Sequence, residues 1–175
     1  DRCHVIPLGL DPGRLPDPGP AALARAATLW GETDFRVLAI GRLTYYKGHD
    51  ILIRAAAELP TGQVLIVGTG DRRDRLAALI GSLALGDRVS LLGFQPEANL
   101  HALLASCDAL CLPSLERTEA FGLVLLEAMR FGKPVVVSDI PGSGAGWVVR
   151  QAGQGLLVPP GDPAALAAAL RELRS

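Results

Sequence analysis

Residues 35–70 read FRVLAIGRLTYYKGHDILIRAAAELPTGQVLIVGTG, and this one stretch contains a complete strand–helix–strand pattern. It begins and ends with short apolar runs, FRVLAI and QVLIV, each followed by glycine. Between them, residues 49–59 are typical of a helix that stops before Pro60. A continuous apolar run indicates a strand buried on both faces, and a helical crossover places two such strands in parallel. The stretch therefore predicts a β–α–β unit.

The same alternation continues through the chain. The other predicted strands are 89–92, 109–112, 134–137 and 156–158, and the other predicted helices are 21–30, 71–85, 96–106, 122–131, 143–151 and 162–174. An extended start at 5–7 and a connector rich in Pro and Gly at 9–20 come first. We expect an α/β fold, a Rossmann-like doubly wound parallel sheet of about six strands with helices on both faces. Such sheets bind ligands beyond the carboxyl ends of their strands, so we look for chemistry in the loops there.

The composition is that of an ordinary folded domain. Of 175 residues, 49% are hydrophobic and 20% are charged, which supplies a core and excludes a mostly disordered chain. Lys and Arg total 17 and Asp and Glu total 18, and the net charge of −1 argues against a nucleic-acid partner. Only 5% of residues are aromatic, which disfavours a base-stacking platform. A bound anion must therefore be held by a few placed donors.

The cysteines and the chain ends carry further expectations. Cys3, Cys107 and Cys111 are too few for a disulfide scaffold. The last two could be a metal pair by spacing, but no matching Cys or His pair accompanies them, so we expect buried thiols in a reducing compartment. Neither a signal peptide nor an apolar run of the roughly 20 residues that span a bilayer is present, so we expect a cytoplasmic protein. The chain begins with Asp1 instead of Met, which indicates a piece of a longer protein.

Two cations follow the first long strand. Arg42 and Lys47 stand five residues apart in the loop 41–48, GRLTYYKG, just before a predicted helix. Arg offers a planar fork and Lys a point charge, so together with helix amides they suit a phosphate or diphosphate. Spacing alone leaves open that both are solvated loop cations. After the next strand, Arg73 stands where a dinucleotide fingerprint needs its third glycine, so we expect only a tight turn at 68–70.

Two carboxylates stand out in residues 113–129, PSLERTEAFGLVLLEAM. Glu127 belongs to an otherwise apolar helix, and an unpaired buried carboxylate is costly, so it must meet a donor or face a cavity. Gly122 predicts that the helix begins nearby, with Glu119 in the preceding loop, reaching over amides that are free to bind an anion. The alternative is that Glu119 only favours the helix dipole while Glu127 pairs with a buried arginine.

The chain resembles the C-terminal, donor-binding half of the GT-B glycosyltransferases, in the large retaining group called family 4. The resemblance covers roughly residues 5–173 and rests on six segments in order, GRLTYYKG, VLIVGTG, RVSLLGF, CDALCLPS, EAFGLVLLEAMRFGKPVVVSD and GLLVPPGDPAALAAAL. A Glu-x7-Glu motif combined with the upstream Arg/Lys loop is a specific signal, whereas each segment alone is weak.

The resemblance implies roles for individual residues. Arg42 and Lys47 would hold the diphosphate of a UDP- or GDP-linked sugar and, with Glu119 on the donor sugar, form the catalytic set. Glu127 would take the ribose hydroxyls, and the stretch from Gly93 to Pro96 would hold the base. The donor-binding set implied in this way is Gly41, Arg42, Lys47, Gly93, Phe94, Glu119, Ala120, Phe121, Gly122, Leu123 and Glu127. Neither a metal nor a cofactor is implied, because cations and dipoles stabilise the leaving diphosphate in GT-B enzymes.

The resemblance also sets expectations for the whole protein. Residues 1–175 would be the donor-binding domain, with 1–20 as the interdomain connector, and the N-terminal acceptor domain would be a partner outside this chain. The full enzyme would transfer a hexose in bacterial polysaccharide or glycolipid assembly, and would reach the inner face of a membrane only through that other domain. Alternatives are a non-catalytic nucleotide-binding or interaction module and a nucleotide-sugar hydrolase or epimerase. The glycine-rich segment 141–147 receives no role.

Overall fold

A computed structural model describes residues 8–11, 13 and 15–174. Its helices and strands follow the order α1 (Pro20–Trp30), β1 (Arg36–Ile40), α2 (His49–Ala57), β2 (Gln63–Val67), α3 (Arg73–Ser82), β3 (Val89–Gly93), α4 (Glu97–Ser106), β4 (Ala109–Leu112), α5 (Leu123–Arg130), β5 (Val135–Ser138), α6 (Gly144–Ala152), β6 (Leu156–Val158) and α7 (Pro163–Arg174). The expected extended start at 5–7 lies outside the described residues.

The six strands form one parallel sheet in the order β3-β2-β1-β4-β5-β6. The chain builds outward from β1 in one direction and from β4 in the other, so the strand order reverses between these two neighbours. This is the arrangement of a doubly wound sheet, and it confirms the predicted fold class. The loops that follow β1 and β4 consequently lie side by side at the carboxyl edge of the sheet.

Helices cover both faces of the sheet. Residues of α2, α3 and α7 share one buried cluster, and residues of α1, α4, α5 and α6 share the other. Along β1, Val37 and Ala39 belong to the first cluster and Leu38 to the second, because successive side chains of a strand point to opposite faces. Burial on both faces explains why the strands read as continuous apolar runs rather than as alternating ones.

Two cysteines belong to these cores. Cys107 and Cys111 are buried free thiols. Burial raises the pKa of Cys107 to about 12 and raises the pKa of Cys111 as well, so both stay protonated near neutral pH. The expectation of buried thiols is confirmed for these two residues, and Cys3 lies outside the described part of the chain.

Two local details differ from the sequence prediction. The loop after β1 contains a 3-10 turn, Tyr45–Lys47, which was not expected. Helix α3 begins at Arg73 rather than Asp71, because the amide of Arg72 donates to the carbonyl of Leu43 and holds a turn there. The same helix ends at Ser82, ahead of Ala84, whose φ of 53° is incompatible with a right-handed helix.

Two glycines allow neighbouring loops to pack closely against the loop 41–48. Gly48, at φ +64°, ends the 3-10 turn and precedes α2, and a Cβ there would collide with the carbonyl oxygen of Pro113. Gly68, at φ +143°, passes equally close to the carbonyl oxygen of Gly41. The loop therefore packs backbone to backbone against the loops that follow β2 and β4, which fixes its position at the carboxyl edge.

The longest described helix, α7, has 12 residues. Within the ranges that the structure covers, no helix combines the length and apolar character needed to cross a membrane.

We predict that Gly48→Ala lowers the free energy of unfolding by about 2–5 kcal/mol, the sum of left-handed strain and overpacking. Gly132→Ala is the matched control, because Gly132 has φ +66° and nothing within 4 Å of a built Cβ. Strain alone should cost that variant about 1–2 kcal/mol. Urea denaturation of the two variants measures the difference, and equal losses would show that the contact with Pro113 is unimportant.

Candidate functional site

Three loops at the carboxyl edge of the sheet contain most of the residues that the sequence singled out. The loop after β1 contains Arg42 and Lys47, β3 ends at Gly93, and the loop between β4 and α5 contains Glu119. The first and third loops are joined by a backbone hydrogen bond of 2.7 Å from the amide of Leu115 to the carbonyl of Tyr46. The switch in strand order thus brings together residues that are far apart in the sequence.

Lys47 and Glu119 form a close ion pair at the centre of this edge. The Lys47 Nζ–Glu119 Oε2 distance is 2.6 Å, and the side chains are only 14% and 9% exposed. The hydroxyl of Ser114 donates to the same carboxylate oxygen at 3.0 Å. Gly41 gives the lysine stem room, since a Cβ there would lie 3.2 Å from Lys47 Cε. Charges this deeply buried require a partner, and here each supplies the other.

Arg42 occupies the same loop but does not join this pair. Its side chain is exposed, and its hydrogen bond in the structure goes to Tyr46 Oη at 3.4 Å. Of the two cations predicted to face one ligand, Lys47 is therefore already held and Arg42 is free to move toward solvent or a bound anion.

Glu119 is held by its backbone as well as by its carboxylate. Its carbonyl accepts a hydrogen bond from the buried hydroxyl of Ser143, and the next carbonyl, that of Ala120, accepts from the amide of Gly144 at 2.8 Å. A Cβ at Gly144 would lie 2.6 Å from the Ala120 oxygen. The glycine-rich segment 141–147 thus supports the Glu119 loop, and its small residues permit the close approach.

The sequence interpretation missed Ser114 and Ser143. Ser114 is the second residue after the apolar strand β4, and that position at a carboxyl edge was the available signal. Ser143 is the N-cap of α6, where its hydroxyl also accepts from the amide of Ala145, and a serine before a predicted helix signals such a cap. Neither pattern reveals that the hydroxyl is bonded to the Glu119 loop.

Helix α5 begins at the same edge. Gly122 precedes it with φ +75° and ψ +61°, and a Cβ there would lie 2.9 Å from the Leu112 side chain, so glycine is needed for this turn. The helix starts at Leu123, which is 45% exposed. The amide of Leu125 donates to the carbonyl of Gly122, and the amides before it form the positive end of the helix. The predicted helix start is therefore present at this edge, its binding of an anion stays a prediction, and the Glu119 carboxylate pairs with Lys47. Phe121, just before this helix, is half-buried, and the centroid of its ring lies 6.5 Å from that of the Trp147 ring.

Glu127 lies one turn into α5 and is half-buried. It lines a cavity of about 250 Å³ between α4 and α5, together with Leu10 and Leu15 of the connector. Burial raises its pKa, with His101 opposing and Glu97 adding to the shift. No arginine pairs with Glu127 among the residues that the structure covers. The expectation of a carboxylate facing a cavity is met, and the alternative of a buried arginine partner is not.

The end of β3 supplies an exposed surface beside α4. Gly93 closes the strand at φ +70°, and the Phe94 side chain that follows is 78% exposed. An exposed aromatic ring beside a cleft is able to cover a planar ligand.

Among the residues that the structure describes, no group of three His, Cys, Asp or Glu side chains is placed to hold a metal ion.

Comparison with known proteins agrees with this arrangement. The family model "Glycosyl transferases group 1" matches residues 22–175. The D-rhamnosyltransferase WbpZ of Pseudomonas aeruginosa is 37% identical over 99% of the chain and 44% of its own length. The D-inositol 3-phosphate glycosyltransferase of Nocardia farcinica is 37% identical over 90% of the chain and 36% of its own length.

A solved structure has a similar fold. Anabaena Alr3699/HepE in complex with UDP superposes with a TM-score of 0.81 and 32% identity, covering 94% of this chain and 45% of that one. The same protein was also solved with UDP-glucose. The chain thus spans less than half the length of these relatives. It belongs to the group 1 glycosyl transferases, the GT4 family, and its span is consistent with the C-terminal domain of a GT-B enzyme.

Proposed function

We propose that this chain is the donor-binding domain of a retaining glycosyltransferase that transfers a hexose from a nucleoside-diphosphate sugar to an acceptor. The observation that carries the proposal is the Lys47–Glu119 pair in the loops before α2 and α5, where a cation and a carboxylate lie 2.6 Å apart. A nucleoside-diphosphate sugar has a diphosphate next to the hydroxyl groups of its sugar. The cation suits the diphosphate, and the carboxylate suits the hydroxyl groups. Membership of the family supports the reaction class.

Each group in the site has a task in this proposal. Lys47 has three N–H donors, so it is able to keep Glu119 and also bind a phosphate oxygen. The exposed guanidinium of Arg42 donates two parallel hydrogen bonds to the diphosphate, and the amides at the start of α5 add partial positive charge. Glu119 accepts hydrogen bonds from the sugar hydroxyls. Arg42, Lys47 and Glu119 are the three residues that the sequence resemblance assigned to the catalytic set.

The same groups stabilise the leaving diphosphate. As the bond between the sugar and the diphosphate breaks, its electron pair and negative charge move to the phosphate oxygens, where Lys47, Arg42 and the helix amides lie. The acceptor oxygen forms the new bond to the sugar and gives its proton to an oxygen of the leaving diphosphate. Fixed cations and dipoles aimed at the developing charge replace a metal ion in this scheme.

Glu127 and the end of β3 complete the donor site. The half-buried Glu127 carboxylate faces a cavity and has room for two ribose hydroxyls. The exposed ring of Phe94 and the turn at Gly93 border the base. UDP is favoured over GDP by the likeness to HepE, which was solved with UDP and with UDP-glucose.

The relatives support a role in polysaccharide or glycolipid assembly. Those that the chain resembles include a lipopolysaccharide core glycosyltransferase of Rhizobium meliloti and an O-antigen chain mannosyltransferase of Escherichia coli. The acceptor domain of this protein and its cytoplasmic location remain predictions.

We predict that the 175-residue chain binds a nucleoside diphosphate and does not transfer sugar by itself, because the proposal assigns the acceptor side of the cleft to a separate domain. A thermal-shift screen with UDP, GDP, ADP and their hexose conjugates identifies the ligand. Binding should persist in EDTA, since cations rather than a metal hold the diphosphate. Robust transfer by the isolated chain, or a strict Mg²⁺ requirement for binding, would contradict this prediction, and absence of any nucleotide binding would favour a plain interaction module.

Lys47→Met should weaken binding of the nucleoside diphosphate by roughly 1.5–3 kcal/mol, the value of a charged hydrogen bond. The variant also leaves the buried Glu119 carboxylate without its cation, so the loss specific to phosphate is the difference between the diphosphate and the corresponding nucleoside, which carries no phosphate. Arg150→Met is the matched control, as it removes an equal charge from α6, where Arg150 pairs with Asp139. Calorimetric titrations with UDP and uridine, or the matching pair from the screen, measure both effects. Equal losses for the two ligands would remove Lys47 from the diphosphate site.

Glu127→Gln should weaken nucleotide binding by roughly 1–3 kcal/mol while leaving the empty domain about as stable, since no arginine is stranded. Glu97→Gln is the control, because Glu97 lines the same cavity with a side chain that is 79% exposed. Urea denaturation and nucleotide titration of both variants give the comparison. If Glu127→Gln costs roughly 3–5 kcal/mol of stability while nucleotide binding stays normal, the carboxylate is structural instead.

A further inference from the structure

A cavity of about 330 Å³ lies between α2 and α3, behind the loop 41–48. It is on the sheet face that α2, α3 and α7 cover, and its walls come from the loop after β1, from α2 and from the whole length of α3. None of Arg42, Lys47, Glu119 and Glu127 lines it. It is therefore separate from the proposed donor site and needs its own explanation.

Three arginine residues line this cavity. Arg54 comes from α2, and Arg72 and Arg75 come from the start of α3. Across the described ranges no ion pair or side-chain hydrogen bond engages any of the three, and Arg72 stacks over the Tyr45 ring at 5.1 Å. Asp50 is the acidic residue in the lining, so the lining carries a net charge of 3 − 1 = +2. Unpaired arginines that converge on one cavity favour an anion with several acceptor oxygens.

One buried polar group in the same lining lacks a partner. The hydroxyl of Thr44 is buried without a hydrogen bond. His49 is 3% exposed, and burial lowers its pKa to about 4, while contacts of its ring with the backbone carbonyls of Arg42 and Gly41 oppose that shift, so the imidazole is neutral near pH 7. Buried polar groups in folded proteins are nearly always hydrogen-bonded, so the Thr44 hydroxyl is a group that a ligand in this cavity is able to complete.

Most of the rest of the lining is apolar. Leu76, Ala78 and Leu79 come from α3, Tyr45 contributes its ring, and the hydroxyl of Ser82 is already bonded to the carbonyl of Leu79. A cavity lined by arginines and by aliphatic side chains matches a ligand with a charged group on a compact apolar body.

We propose that the cavity between α2 and α3 is a second binding site, for a small phosphate monoester whose organic part is aromatic or aliphatic. The phosphate lies among Arg54, Arg72 and Arg75, and the organic part packs on the α3 wall. Thr44 and Tyr45 belong to the loop that also contains Lys47, so the occupant contacts the rear of the segment that holds the donor. That last consequence rests on the proposed function, whereas the site itself does not.

Phenyl phosphate is the probe, with phenol and inorganic phosphate as the two half-ligands. Calorimetry of the 175-residue chain should give one site for phenyl phosphate and much weaker binding of either half. Arg54→Gln and Arg75→Gln should each weaken it about tenfold or more, the loss expected for one charged hydrogen bond. Both side chains are exposed, so the melting temperatures should stay near that of the parent.

Arg25→Gln is the charge-matched control, because Arg25 is an exposed residue of α1 on the opposite face of the sheet. Its affinity should equal that of the parent chain. Equal weakening in all three variants, unchanged affinity in Arg54→Gln and Arg75→Gln, or competitive displacement of phenyl phosphate by the nucleoside diphosphate would each overturn the proposal. Because Lys47→Met tests the donor site separately, failure of one site is distinguishable from failure of the other.

Discussion

The ion pair between Lys47 and Glu119 is the interaction on which the arrangement of the carboxyl edge depends. The two residues are 72 positions apart and come from loops on either side of the reversal in strand order. A largely buried charge is costly without its partner, so each loop is stable in its observed position only when the other is present. The pair therefore ties the two halves of the sheet together at the place where a ligand would enter.

The surrounding residues serve this pair in different ways. Gly41 leaves room for the lysine stem, and Ser114 supplies a further hydrogen bond to the carboxylate. Ser143 and Gly144 hold the backbone on the other side of Glu119. Several loops of the carboxyl edge are thus involved in placing two charges, which explains why the pair is fixed while Arg42, outside it, remains exposed.

Much of the fold could be predicted from the sequence because its determinants are local. Apolar runs such as 63–67 are buried on both faces, and Gly122 starts α5 where a left-handed residue is required. The pairing of Glu119 could not be predicted from the residues alone, because it depends on which strands become neighbours. The role of segment 141–147 was missed for the same reason, since Gly144 is needed by the loop at Ala120, far away in the sequence, rather than by its own helix.

The cavity at Glu127 is shaped partly by residues that precede the first helix. Leu10 and Leu15 form part of the wall around that carboxylate, and Leu15 is buried against the domain. The size of the space beside Glu127 therefore depends on where these two leucines lie, as well as on the packing of α4 against α5.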